Sequence, residues 1–181
     1  MNDKAKAFES YLKQEHIHCF LKEERNDKLH TVLYKTYIDC EDQKLPVFVV
    51  LDDSAFSYIR IALTETPVAK TRQKEVLVKL NKLNDGYKVS KYYISSYDDI
   101  LYMDMSVPCL PKTFDSSLVL HLISGIAIPH LEEMYRSIMS IVMTKAQAAK
   151  AKAQRDAVKS QVATSTAQGG KPKAKGRKPR K

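Results

Sequence analysis

Tryptophan is absent from the chain and glycine occurs only five times. Three of those glycines, Gly169, Gly170 and Gly176, lie near the C-terminus, leaving Gly86 and Gly125 for everything before them. A phosphate-cradling loop needs several glycines so that backbone can approach the ligand. Two isolated glycines speak against P-loop and dinucleotide sites. Cysteine is sparse and odd in number: Cys19, Cys40 and Cys109, with no CxxC. That is no disulfide framework, and three buried or half-buried thiols are expected. No apolar run approaches the roughly 18–20 residues that span a bilayer. The longest, 46–51, has the length of a strand. The first residues, MNDKAKAFESYLKQE, carry acids in an amphipathic helical pattern and lack the basic, apolar and small-residue regions of a signal peptide. The expected compartment is the cytoplasm, with no membrane contact.

Charge is abundant but uneven. Residues 145–181 hold twelve of the 30 Lys and Arg against one acid, Asp156, a net +11. Residues 1–144 carry a net −2, so the overall +9 describes the tail rather than the body.

Phe8, Tyr11 and Leu12 recur at helical spacing. The period then changes to two. In 30–40, Val32, Tyr34, Ile38 and Cys40 share a face, with Leu33, Lys35, Tyr37 and Asp39 opposite. The run 45–51 is apolar on both faces. In 56–63, Ile59, Ile61 and Leu63 oppose Tyr58 and Arg60. Polar turns at 41–44 and at Asp52-Asp53-Ser54 make these three strands an antiparallel meander. Residues 17–21 read equally as a strand or a helix end. Thr66-Pro67 reads as a helix entrance. Val76, Leu77, Leu80, Leu83 and Tyr87 form the stripe of that helix, and Gly86 suits a left-handed cap. A second pair follows: 91–97, a two-residue turn at Asp98-Asp99, and 100–107 with Tyr102, Asp104 and Ser106 outward. Asp115 or Thr113 caps a last helix, which Pro129 breaks near 125–129. The expected fold is α+β: a five-stranded antiparallel sheet, a meander of three plus a hairpin of two, with helices on one face. The expected domains are a body at 1–144, an Ala/Lys-rich helical extension at 145–160, and a disordered basic tail at 161–181.

The segments AFESYLKQEHI, LPVFVVLDDSAFSYIRIAL, KEVLVKLNKLNDGYK, ILYMDMSVP and LVLHLISGIAIPHLEEMYRSI, in that order, resemble the YbjN family over roughly residues 4–144. That family's fold is similar to type III secretion chaperones. The resemblance implies a non-enzymatic, chaperone-like or regulatory protein-binding module, often a homodimer. The Ala/Lys extension and basic tail depart from the family's pattern.

Chemistry-bearing residues are few. His16, His18 and Cys19 cluster, with His30 and Cys40 further on, but metal binding needs three or four converging ligands. Surface histidines at a junction explain them as well. His121 and His130 lie on the last helix without a nucleophile in a recognisable context. The pairs Asp52-Asp53 and Asp98-Asp99 read as turns. No catalytic, cofactor or metal residue is assigned.

Two binding surfaces are expected. Tyr37, Tyr58, Tyr93, Tyr97 and Tyr102 fall on proposed strands, and on a helix-free face they would form an aromatic protein-contact surface for a client or second subunit. Strand propensity alone also accounts for strand tyrosines. The tail cations Lys171, Lys173, Lys175, Arg177, Lys178, Arg180 and Lys181 suit weak, non-specific nucleic-acid binding by counterion release, or simple solubilisation.

Overall fold

The computed structural model describes residues 1–143. Met1–Val142 form one compact unit. The expectations for a helical extension and a basic tail, including the seven tail cations, fall outside the described residues.

Six strands make one antiparallel sheet: β1 Leu21–Glu24, β2 Val32–Cys40, β3 Gln43–Leu51, β4 Phe56–Ala62, β5 Ser90–Ile94 and β6 Leu101–Pro108, in the spatial order β1-β2-β3-β4-β6-β5. The expected count of five is thus corrected to six. The additional strand, β1, reads LKEE and is exposed throughout, so no apolar alternation announces it. It satisfies the outer edge of β2 and is tied down by charge. Lys22 Nζ lies 2.6 Å from Glu9 and 2.7 Å from Glu24. The meander therefore has four strands. The later pair joins it through β6, which lies beside β4 and leaves β5 on the far edge. β5 also stops earlier than expected. The chain turns at Ser95, whose N–H reaches Ile100 O (2.9 Å), while Asp99 takes a left-handed φ of 57°. A loop over 95–100 replaces the two-residue turn.

The described helices lie on one face. Helix α1, Asp3–Gln14, begins at Asn2, whose Oδ1 accepts the Ala5 N–H. The same carboxamide donates to His30 O and Leu51 O (2.8 and 2.9 Å), pinning α1 to the ends of β2 and β3. Phe8 then meets Tyr34 edge-on. Helix α2, Lys70–Gly86, starts later than Thr66-Pro67 suggests, because Val68 N–H bonds Asp99 O and holds that stretch extended. Its buried stripe is Val76, Leu80 and Leu83; Leu77 and Tyr87 are exposed. Gly86 ends the helix without a left-handed conformation. Helix α3, Ser116–His121, is capped by Asp115, which accepts from Ser117 and Leu118. It runs through a π-helical segment, Leu122–Ala127, into α4, Ile128–Val142. The expected break at Pro129 is a widened turn instead. Proline lacks an N–H and crowds the carbonyl four residues back, and a π turn gives it room.

The core is the covered face of the sheet. Val47, Ile59, Ile61, Leu101, Met103 and Met105 are essentially sealed from solvent by α1, α2 and α4. Tyr135 on α4 reaches down to Leu63 O. No helix among the described residues is long and apolar enough to cross a membrane.

Candidate protein-contact face

Alternation turns the remaining strand side chains onto a face that none of the described helices covers. The register aligns one row straight across all six strands: Leu21, Lys35, Phe48, Arg60, Asp104 and Lys91. On one side of it Tyr37 sits opposite Pro46, and Tyr102 opposite Tyr93. On the other, Tyr58 stands between Val50 and Ser106. Tyr37, Tyr58, Tyr93 and Tyr102 therefore share this face. Tyr97 does not: it lies on the loop after β5, 96% exposed, because the strand has already ended.

Arg60 organises the centre. Its Nε and Nη2 donate to the two oxygens of Asp104, each at 2.9 Å. Its guanidinium carbon lies 5.1 Å from the ring centroids of Tyr58 and Tyr102 and 5.8 Å from that of Tyr93. Tyr93 Oη donates to Asp104 Oδ2 (2.9 Å) and Tyr102 Oη to Asp98 Oδ2 (2.9 Å). Burial first, and then the hydrogen bond to Asp104, raises the Tyr93 phenol above its usual range, so it stays a donor. Bidentate pairing and ring contacts together hold this cluster in one geometry.

Two lysines flank it along the row. Lys35 Nζ lies 5.3 Å from the Tyr37 ring and 5.8 Å from Phe48, and Lys91 Nζ lies 5.3 Å from Tyr93. Among the described residues neither lysine has an ion-pair partner. Cations thus rest on rings beside the apolar side chains of the row.

Both edges of the sheet are blocked. The β1 edge is four residues long and charged. At the other edge, Asn84 of α2 accepts the Tyr92 N–H (2.7 Å) and donates to Tyr92 O (3.0 Å). Its carboxamide stands where a neighbouring strand's peptide group would. Short, charged or covered edges resist strand addition.

The other candidate residues do not converge. His16 and His18 lie in an exposed connection, His16 with a left-handed φ of 55°. Cys19 is exposed, contrary to the expectation of three sheltered thiols, because it lies in the open connection before β1, which begins only at Leu21. Cys40 is buried, and desolvation pushes its thiol up to about 11. His30 Nδ1 and Asp53 Oδ2 are 2.7 Å apart at the surface. Asp52 accepts from Ser54 within its turn. No group of three or more potential metal ligands occurs among the described residues. His121 is exposed beside Gly125, while His130 packs 4.2 Å from the Tyr87 ring and 5.7 Å from Tyr92.

Three features escaped the sequence. Lys4 is completely buried, donating to Ser54 O (2.6 Å) and Ser57 Oγ (3.2 Å). Nothing in DKAKAF distinguishes it from Lys6. The Asn84 clasp is equally unmarked. The Arg60–Asp104 pair had a partial signal, since both residues alternate outward on their strands, but only the register sets them opposite.

Fold and face together define a class: an α+β protein with a six-stranded antiparallel sheet, helices on one side and an aromatic–cationic surface on the other. No family model, curated protein or solved structure matches the chain.

Proposed function

We propose that the chain is a non-enzymatic protein-binding module of the YbjN type, chaperone-like or regulatory, that meets its partner through the helix-free sheet face. The observation that carries this reading is the contrast between an open, ring-rich face and two blocked edges. Strand addition is hindered, while Tyr37, Tyr58, Tyr93 and Tyr102 offer apolar bodies with polar tips, a composition enriched at protein contacts. The second subunit implied by the resemblance is one such partner, and a protein client is another. The type III secretion chaperone-like architecture belongs to this proposal as well.

A photo-cross-linking side chain placed at Tyr37 of the full chain should trap a protein. The same group at Ser124, exposed on the helical side, should not. Equal trapping from both positions sinks the reading.

The tail supports a second reading on the strength of its seven cations between 171 and 181. Non-specific DNA binding by the full chain should then show a log–log salt slope no steeper than about −6, from roughly −0.9 per neutralised phosphate. No binding at low salt removes it.

A further inference from the structure

We infer that the helix-free face receives an extended, acidic protein segment lying along the row from Lys35 to Lys91, across the strands. This rests on the protein-binding reading above and names the chemistry of the partner. The row places cations on β2, β4 and β5. In spatial order β3 separates the first two and β6 the last two. Strands lie about 4.8 Å apart, so the cations recur at about 10 Å. An extended peptide advances about 3.3 Å per residue, so carboxylates on every third residue match that interval, and, with Arg60 paired to Asp104, carboxylates six residues apart reach Lys35 and Lys91. Asp104, the one acid in the row, is committed to Arg60 and Tyr93. Lys35 and Lys91 are left to meet an incoming charge, with Phe48 and Tyr102 offering apolar surface between them.

Charge decides among the alternative occupants. A second copy laid row on row would set its own Lys35 and Lys91 against cations of the same sign. The chain's own residues 145–181 carry +11, again the same sign. Single-stranded nucleic acid satisfies charge but needs free ring faces for base stacking. Here Arg60 already lies over Tyr58, Tyr93 and Tyr102, and Lys35 over Tyr37 and Phe48. The rings serve to position cations.

The test uses the full chain with its seven tail cations replaced by glutamine (K171Q, K173Q, K175Q, R177Q, K178Q, R180Q and K181Q), so that the tail does not compete. The probes are a fluorescent twelve-residue peptide with glutamate at every third position and Thr and Val between, its glutamine counterpart, and a twelve-nucleotide oligo-dT, all read by anisotropy. Expected is binding of the glutamate peptide, weakened about tenfold or more by Lys35→Glu with Lys91→Glu, at unchanged thermal midpoint. Equal binding of both peptides, each weakened by Tyr37→Ala, overturns the acidic specificity and leaves the protein-binding reading standing. Tighter, face-dependent binding of oligo-dT overturns both. A self-association by sedimentation that Tyr37→Ala abolishes, with no peptide bound, assigns the face to a second copy and overturns the inference. Binding of no probe overturns it as well.

Discussion

The two faces of one sheet are built from the same strands by alternate residues, yet they obey different rules. On the covered face Ile59, Ile61, Met103 and Met105 fill space under the helices. One residue away in sequence, Tyr58, Arg60, Tyr102 and Asp104 hold one another by directed bonds and ring contacts. The first face is specified by volume and dryness, the second by geometry and charge. Stability should therefore reside on one face and recognition on the other.

The sharpest way to break that comparison is a pair of substitutions on opposite faces of β4. Ile61→Ala should destabilise by about 3–4 kcal/mol, from lost transfer energy plus a cavity. Tyr58→Ser should cost about 1 kcal/mol, since its ring is half-exposed. Urea midpoints of the two variants measure the difference, and equal losses would mean that the open face is also core. Next in size, Asn84→Ala should cost about 1–2 kcal/mol by orphaning the Tyr92 peptide groups. It should also introduce concentration-dependent association in sedimentation, because the β5 edge is unblocked. A variant of unchanged midpoint and mass would show that Asn84 guards nothing.

Smaller still is a pH effect on the covered side. Burial holds the His130 imidazole below its ordinary 6.5, against a weaker opposing pull from Glu133. Between the folded and unfolded values the unfolded chain binds more protons, so this contribution is intact above about 6.5 and is lost as pH falls through that window. His130→Phe should flatten the stability profile there, read as denaturant midpoint against pH. An unchanged profile would place the titration elsewhere. Smallest of all is Tyr37→Ser. At 51% exposed, it should shift the midpoint by less than about 0.5 kcal/mol while lowering cross-linking from the open face.

Much of the sheet was readable because period two is a direct consequence of strand geometry. It located β2, β4 and β6 and sorted Tyr58, Arg60, Tyr102 and Asp104 outward, while a run apolar on both faces located β3. It failed where the signal is not periodic. β1 buries no apolar residue, its one leucine, Leu21, being exposed, and it exists only as the partner of β2. The loop after Ile94 is decided by hydrogen bonds at Ser95 and Asp99, so Tyr97 was misplaced by three residues of overextended strand. The delayed start of α2 has a similar cause, since Val68 is held by a carbonyl of that same distant loop.

Local pattern, through alternation and helical spacing, was enough to specify an antiparallel α+β body and to say which side chains point away from its core. Register, strand order and edge protection came only from the assembled chain. Which outward residues become neighbours depends on pairings between distant segments, as with Arg60 and Asp104, 44 residues apart. Those pairings are chosen by the joint burial of the opposite face, a cooperative quantity that no single window of sequence contains.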